Sequence, residues 1–325
     1  MTRKALLFTL AAAAAALASG TASAEMIRGV RALGGVDSAA QITRFDEPKA
    51  KKAAPAKARP QASAFVFRGD ASDPVGLASL AAIAVDQETG AVYFEKNAGA
   101  ALPIASITKM MTALVTLEAG LPLEEKLAFT GEDSVLSTAR SHFSSGMTVT
   151  RGEALHAALM SSDNRAAHLL ARTFPGGAGA FVSAMNAKAA ALGMTKSRFA
   201  DSTGLSAGNV STAKDLTLLA RAAYAWPAIR ELSTTSSASI ATGSGATLKL
   251  RTTNRLVANG WDLGLQKTGT TTAAGRCMLL QTIVSGRPLL MAMLHADSGS
   301  ARIRDAEKLR AWLETVKLRG GGKRL

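Results

Sequence analysis

The sequence predicts an α+β protein, in which an antiparallel sheet is flanked by helices and a mainly helical subdomain lies on one side. Three observations support this prediction: a hairpin pattern early in the patterned region, helical periodicity through the middle, and alternating apolar runs after Trp261. Since strands lie at both ends and helices lie between them, we expect the two ends to complete one sheet around a helical insertion.

The first two strands are predicted in the segment LASLAAIAVDQETGAVYFEKNAG, residues 77–99. Two apolar runs flank the turn sequence DQETG, in which Gly90 can adopt a positive φ. This pattern is typical of a β-hairpin.

The middle of the chain predicts five helices. In the first, over 107–119, apolar residues recur at helical spacing, and Gly120 and Pro122 end the pattern. The other four are predicted over 151–162, 164–174, 180–193 and 211–226. Strands are then predicted over 263–271, 276–284 and 289–296, followed by an amphipathic helix over 301–317.

Residues 1–24 have the pattern of a cleavable export signal. Arg3 and Lys4 precede an apolar stretch, and Ala-Ser-Ala at 22–24 provides a small-residue cleavage site. The apolar stretch is shorter than the roughly 20 residues of a typical transmembrane helix. We therefore predict cleavage after Ala24, an exported mature protein and no transmembrane segment.

Residues 25–74 are predicted to form a disordered basic linker rich in Ala, Pro and Lys. Within it, 44–60 hold six basic residues and three prolines with little apolar content. The functional alternative to a solvated linker is electrostatic contact with anionic envelope polymers. One folded domain is then predicted over 75–317, and 318–325 are predicted to form a flexible tail.

The charge balance indicates an anionic partner. Cleavage removes Arg3 and Lys4 from 38 basic residues, which leaves 36 basic against 24 acidic residues. Predicted export and only 15 aromatic residues argue against nucleic acid, whereas the cell envelope fits both observations. The single cysteine, Cys277, excludes an intramolecular disulfide, and we expect it to be a buried apolar side chain.

A Ser-x-x-Lys pair, Ser106 and Lys109, stands at the start of the first predicted helix. A serine at this position is a good helix cap, so the pair alone does not indicate catalysis. Ser211 and Lys214 have the same spacing, but there a Thr-x-x-Asp capping box explains the pattern.

Two further motifs follow this first pair. Ser162 and Asn164 belong to a Ser-Asp-Asn sequence between two predicted helices, and Lys267, Thr268 and Gly269 lie in a predicted strand. Ser-x-x-Lys, Ser-x-Asn and Lys-Thr-Gly, in this order, are the motif set of penicillin-recognising serine enzymes.

The residue types suit nucleophilic catalysis. Residues three apart share a helix face, so the Lys109 amine can reach the Ser106 hydroxyl. A free lysine with a pKa near 10.4 is a poor base at neutral pH, so its pKa must fall by about three units. Burial and a neighbouring cation both lower it, and we expect Lys267 to be that cation.

The remaining roles follow from hydrogen-bonding chemistry. Ser162 can pass a proton to the departing amine, and the Asn164 amide can hold both the catalytic lysine and the substrate backbone. We expect an oxyanion hole between the backbone N–H groups of Ser106 and Thr270. The strand that carries Thr268 can bind an extended peptide as an added strand.

With these motifs the chain resembles the low-molecular-weight penicillin-binding proteins, the serine D-alanyl-D-alanine carboxypeptidases and endopeptidases that trim bacterial peptidoglycan. The resemblance covers about 78–313, including FADSTGLSAGNVSTAKDL and KTGTTTAAGRC. It implies the penicillin-recognising serine transferase and β-lactamase-like fold, an acyl-enzyme on Ser106, and no metal or organic cofactor. It also implies that peptidoglycan stem peptides and β-lactam antibiotics are the partners.

Two features resemble the endopeptidase branch of that family. Only 58 residues follow Lys267, whereas better-known carboxypeptidases add a β-rich domain and a membrane anchor. The segments ALMSSDNRAA and LQKTGTTTAAGRC also resemble the short periplasmic endopeptidases. D-alanyl-D-alanine carboxypeptidase activity is the alternative.

Two other functions are weighed. A class A-like β-lactamase carries a glutamate some 35 residues beyond the second motif, but the region GMTKSRFADSTGL holds Asp201 and no glutamate. A non-catalytic peptidoglycan-binding protein is disfavoured because all five catalytic positions are intact.

Of three arginines that can meet the acidic parts of stem peptides, namely Arg140, Arg165 and Arg276, we favour Arg276 beside the third motif. The four histidines show no metal-ligand spacing.

Overall fold

A mixed sheet occupies the centre of the fold. The computed structural model describes residues 67–69, 73–134, 141–243, 245 and 247–316, and these residues belong to one compact unit. Its strands are β1 (Phe67–Gly69), β2 (Ala81–Asp86), β3 (Val92–Lys96), β4 (Leu102–Pro103), β5 (Lys126–Ala128), β6 (Thr148–Thr150), β7 (Val210–Ser211), β8 (Ser237–Ala241), β9 (Thr247–Arg251), β10 (Leu263–Thr271), β11 (Gly275–Val284) and β12 (Arg287–Ala296).

The helices lie mostly between the two groups of long strands, as the sequence predicts. They are α1 (Thr108–Glu118), α2 (Arg151–Met160), α3 (Asn164–Arg172), α4 (Gly177–Ala191), α5 (Ala213–Tyr224), α6 (Pro227–Thr234), α7 (Arg255–Ala258) and α8 (Gly299–Thr315). Short 3-10 helices add Ala105–Ile107 and Gly131–Asp133.

The two ends of the described chain complete one sheet, which confirms the predicted architecture. The strand order is β1-β3-β2-β12-β11-β10, and the join between the halves is the antiparallel pairing of β2 with β12, from Asp86 opposite Leu289 to Ala81 opposite Leu294. Strand β10 therefore lies at an edge, with one side open to the helical part of the molecule.

Both faces of this sheet are buried, and because side chains alternate along each strand, neighbouring residues pack into different apolar clusters. On β12, Leu290, Ala292 and Leu294 join the larger apolar cluster, which contains α1 to α6. The intervening Leu289, Met291 and Met293 join a second cluster beneath α8. The sheet is thus a middle layer between α8 and the helical subdomain.

Helix α1 is the central element of the helical subdomain. Every residue from Thr108 to Leu117 is buried, which is why its apolar residues are not confined to one face. Helices α2, α3, α4 and α5 all pack against α1, so the first motif starts a helix that is surrounded by protein.

The structure departs from the sequence prediction at several places, among them the unpredicted strand pairs β4–β7 and β5–β6 and helix α7. Residues 67–69 fall inside the predicted disordered linker, yet they form β1 and pair in parallel with β3, so the linker prediction is wrong for these three residues and the sheet is not entirely antiparallel. Helix α6, which starts with Pro227, and the hairpin β8–β9 were not predicted. The predicted signal sequence and C-terminal tail lie outside the described residues.

The described chain contains no helix with the length and apolar character that crossing a bilayer requires.

Candidate active site

Ser106 lies in the 3-10 helix that leads into α1, and its neighbour Ala105 has a positive φ of 48°. Backbone in this region costs energy for a residue with a Cβ and is concentrated at functional sites. The interpretation of Ser106 as a helix cap is wrong, because Ile107 is the cap of α1 and no side chain makes a capping hydrogen bond there. Ser106 is half-buried, and its hydroxyl contacts Lys109 instead.

Lys109 is fully buried, and its Nζ has three oxygen partners. It lies 3.0 Å from Ser106 Oγ, 2.7 Å from Asn164 Oδ1 and 2.6 Å from the carbonyl oxygen of Thr203. Burial lowers the pKa of Lys109 to about 7, although the carboxylates of Asp163 and Asp201 act in the opposite direction. A large fraction of the amine is therefore neutral near pH 7 and able to accept a proton.

The second motif lies in the turn between α2 and α3. Ser162 has a positive φ of 60° and is half-buried, and the described residues include no hydrogen bond between its hydroxyl and Lys109. Asp163 caps α3 by accepting from Ala166 N at 3.0 Å. Asn164 is the first residue of α3, so the cap fixes the amide that holds Lys109.

Asp163 also holds the segment that follows the gap in the described chain. Its carboxylate accepts from Ser141 Oγ at 2.8 Å and from the backbone N of His142 at 3.0 Å. Sequence reasoning gave His142 no role, because its contact with the second motif spans 21 residues and leaves no local pattern.

The third motif lies on the edge strand β10, directly against the 3-10 helix. A Cβ at Gly269 would lie 2.8 Å from the carbonyl oxygen of Ile104 and 3.1 Å from Ser106 N, so only glycine permits this approach. Lys267 is fully buried, and its Nζ donates to Thr268 O at 2.9 Å. The structure thus brings the first and third motifs together.

The two buried lysines, Lys109 and Lys267, influence each other's protonation. Burial is the main cause that lowers the pKa of Lys109. The pKa of Lys267 is lowered well below its usual value, first by burial and then by the charges of Lys109 and Arg302. Because repulsion between two cations is mutual, protonation of either lysine disfavours protonation of the other, and the expected role of Lys267 stays a prediction.

The predicted substrate-binding residues occupy the end of β10 and its neighbour β11. Thr268 is buried, Thr270 is exposed, and Thr270 lies opposite the half-exposed Arg276 in the β10–β11 ladder. Arg165 Nη1 donates to the Phe143 carbonyl oxygen at 2.7 Å and so supports the segment beside the second motif. Arg140 lies outside the described residues.

The loop 201–209 contacts Lys109 through the carbonyl oxygen of Thr203. It belongs to the segment FADSTGLSAGNVSTAKDL, to which sequence reasoning assigned no role beyond the resemblance. Asp201 accepts from Gly204 N at 2.6 Å and from Ser206 N at 2.8 Å, and both oxygens also bind side chains of the same loop. Burial raises the pKa of Asp201, but these hydrogen bonds outweigh burial and keep the pKa below its usual value. Because its carboxylate organises the loop, Asp201 is a poor candidate for the deacylating base of a β-lactamase.

Arg302 on α8 is a second residue that sequence reasoning missed. It is buried, and its Nη1 donates to the carbonyl oxygens of Gly269 at 3.2 Å and Cys277 at 3.3 Å. It thereby ties β10 to β11 behind the third motif. An arginine in an amphipathic helix is normally solvated, so its sequence context carries no signal of this contact.

The second Ser-x-x-Lys pair is structural, as predicted. Thr212 caps α5 by accepting from Asp215 N at 2.9 Å. Ser211 Oγ is 2.7 Å from Ser197 Oγ, and the Asp215 carboxylate binds Lys196 N and Ser197 Oγ rather than closing the capping box. Cys277 is buried as expected, and burial raises the pKa of its thiol to about 11.

Comparison with known proteins identifies relatives over most of the described chain. The sequence profile of the peptidase S11 family, described as D-alanyl-D-alanine carboxypeptidase, matches residues 69–298. A D-alanyl-D-alanine endopeptidase of Pseudomonas aeruginosa is 45% identical over 242 residues, which are 74% of this chain and 78% of that protein. A D-alanyl-D-alanine endopeptidase of Escherichia coli is 42% identical over 263 residues, 80% of this chain and 84% of that protein.

A solved structure shares the fold. The ampicillin-bound crystal structure of penicillin-binding protein D2 from Listeria monocytogenes superposes with a TM-score of 0.64 at 32% sequence identity. The match covers 73% of this chain and 97% of that structure.

Proposed function

Because the chain belongs to the peptidase S11 family of D-alanyl-D-alanine carboxypeptidases, we propose that it hydrolyses D-alanyl amide bonds of peptidoglycan stem peptides through Ser106. The observation that carries this proposal is the contact of 3.0 Å between Ser106 Oγ and the buried Nζ of Lys109. The third motif lies against the same serine, and Asn164 of the second motif accepts from Lys109, which supports one site shared by the three motifs.

Acylation starts with the Lys109 amine. Its neutral form accepts the Ser106 proton while Oγ attacks the carbonyl carbon of the D-alanyl amide. The negative charge that develops on the carbonyl oxygen is held by the backbone N–H groups of Ser106 and Thr270. Lys267, whose pKa is lowered well below its usual value, acts in this proposal as a hydrogen-bond donor behind Thr268 and not as a fixed positive charge.

Collapse of the tetrahedral intermediate breaks the C–N bond. The departing amine takes up a proton that Ser162 relays from the Lys109 side, and an ester remains on Ser106. Water then attacks the ester carbonyl with Lys109 again as base, which releases the carboxylate product and restores the serine hydroxyl. Asn164 holds the Lys109 amine through both steps, since its Oδ1 accepts from Nζ at 2.7 Å.

The cross-link is the substrate bond that we favour. The Pseudomonas and Escherichia relatives described above carry the name D-alanyl-D-alanine endopeptidase, and their similarity spans at least 74% of this chain. Removal of a terminal D-alanine is the second candidate, because the family profile carries the carboxypeptidase description. β-Lactams acylate the same serine in this proposal, as ampicillin is bound in the Listeria protein.

Export to the periplasm fits this substrate. The signal pattern of residues 1–24 motivates this part of the proposal, and the substrate lies outside the cytoplasmic membrane.

Digestion of purified cross-linked muropeptides, followed by mass spectrometry, tests the proposal together with labelling by a fluorescent penicillin. We expect conversion of dimers to monomers and a labelled protein band. Ser106→Ala should abolish both, whereas Ser211→Ala, which alters the other Ser-x-x-Lys pair, should retain both. Free D-alanine without loss of dimers would replace endopeptidase by carboxypeptidase, and labelling that persists in Ser106→Ala would refute the assignment of the nucleophile.

A further inference from the structure

The hairpin β8–β9 presents a basic face beside the proposed active site. Along β9 the exposed positions alternate, with Thr247, Lys249 and Arg251 exposed and Leu250 buried. Their partners on β8 are Ala241, Ser239 and Ser237, which are exposed as well. One face of the hairpin therefore carries small and hydroxyl side chains around two cations. We call this the hairpin face.

The hairpin face adjoins β10, the strand that carries the third motif. Thr253 is exposed, two residues beyond Arg251, and its Oγ1 lies 2.7 Å from Thr268 Oγ1 on β10. Because Thr253 follows the end of β9 by two residues, the hairpin face adjoins the strand along which the proposed peptide substrate binds, with Arg251 nearer to it in sequence than Lys249.

The charged side chains around the hairpin are all positive. From 232 to 261 the sequence contains Lys249, Arg251 and Arg255 and no acidic residue. Within the described part of the chain, neither Lys249 nor Arg251 forms an ion pair, whereas the cations Lys96, Arg172 and Lys188 all do. Two unpaired cations near a cleft attract anionic groups of a ligand that enters it.

We propose that the hairpin face binds carboxylate groups of the peptide substrate, at positions away from the bond that is cut, with Arg251 as the nearest contact and Lys249 as the next. This proposal rests on the proposed function, because it assumes that a peptide occupies β10. The arginine suits this role, since its guanidinium can bind a carboxylate through two hydrogen bonds.

The test compares two synthetic stem peptides that end in D-alanyl-D-alanine and differ only in their internal carboxyl groups, free in one and amidated in the other. Binding is measured by fluorescence anisotropy with Ser106→Ala as parent, so that no turnover is needed. We expect the free-carboxylate peptide to bind several-fold more tightly than the amidated peptide, about three-fold for each exposed ion pair at low salt. At 0.5 M NaCl the ratio should shrink because exposed charges are screened.

Arg251→Gln in this parent should bring the ratio close to one, and Lys249→Gln should lower it less. Arg304→Gln is the matched control: Arg304 is an exposed arginine on α8, and its replacement changes the net charge equally, so the ratio should be retained. A thermal melt shows that each variant is folded. Equal binding of both peptides by the parent, or a full ratio in Arg251→Gln, overturns the proposal. Penicillin labelling is measured separately on the protein that retains Ser106. Its absence would count against the proposed function alone and not against the role of the hairpin face.

Discussion

Lys109 is the residue on which the proposed chemistry depends. A buried amine without acidic partners in hydrogen-bond contact stays neutral at lower pH than a solvated one, and here burial brings the pKa to about 7. The oxygen atoms around Nζ are an amide oxygen, a hydroxyl and a backbone carbonyl, which hold the amine without a full negative charge in contact.

The rate of acylation by penicillin should follow the neutral fraction of Lys109. Below pH 7 the amine is protonated and cannot accept the serine proton, so the rate should fall about tenfold per pH unit, and above pH 7 it should level off. Asn164→Asp places a carboxylate 2.7 Å from Nζ, so it should raise the pKa of Lys109 and move the midpoint upward by at least one unit. Stopped-flow acylation between pH 5 and 9 measures both profiles; a midpoint that Asn164→Asp leaves in place would contradict this account.

At the scale of elements, the cleft depends on two close backbone contacts with the 3-10 helix. Gly269 on β10 approaches it from one side, and Gly204 approaches it from the loop beneath Lys109. A Cβ at Gly204 would lie 2.0 Å from the carbonyl oxygen of Ala105, and its φ of 84° also disfavours any other residue. These contacts set where Ser106 lies relative to the loop and the strand.

Gly204→Ala should therefore destabilise the protein by about 3 kcal/mol or more, because backbone must move in addition to the strain of a positive φ. It should also slow penicillin acylation strongly, since Ser106 N lies 2.8 Å from the added Cβ. Gly120→Ala is the control, because Gly120 has a φ of 63° and nothing within 4 Å of its Cβ position, and it should cost about 1 kcal/mol without loss of acylation. Urea denaturation compares the two; equal losses of stability would show that the contact with Ala105 is not what matters.

How far the elements could be predicted depends on how strongly their pattern repeats. Strand β10 begins and ends where the alternating run predicts it, at Leu263 and Thr271. Strand β8 was missed because its exposed positions are Ser and Ala, which give little contrast with its buried positions. Strand β9, with the sequence TLKLR, does alternate polar and apolar residues, and this local signal was overlooked. The motif residues were found through their order in the chain, whereas Thr203, Gly204 and Arg302 act through backbone contacts or burial that no local pattern announces.

At the scale of the whole molecule, a single carboxylate connects the start of the sheet to the last helix. Asp305 on α8 accepts from Ala78 N at 2.9 Å, from Ser79 N at 2.7 Å and from Ser79 Oγ at 2.6 Å. These groups lie 226 or 227 residues apart in sequence, and Asp305 and Ser79 are buried. No sequence pattern predicts a contact over this separation.

Asp305→Ala should lower the free energy of unfolding by about 3 kcal/mol, because two backbone N–H groups and a hydroxyl lose their acceptor in or near the interior. Asp305→Asn keeps one acceptor oxygen and should cost less. Glu307→Ala changes an exposed carboxylate of the same helix and should stay within about 0.5 kcal/mol of the parent. Chemical denaturation gives all three values, and a loss in Asp305→Ala no larger than that in Glu307→Ala would refute this role.

The pairing of β2 with β12 also determines when the protein becomes reactive during its synthesis. A ribosome makes Ser106 and Lys109 early, but Lys267 follows Ser106 by 161 residues and β12 comes later still. Until β12 is made, β2 has no neighbour on that side and the catalytic strand has no sheet to join. Under the proposed function we therefore expect that a nascent or truncated chain does not react with penicillin at Ser106, and that penicillin labelling counts only finished, folded molecules.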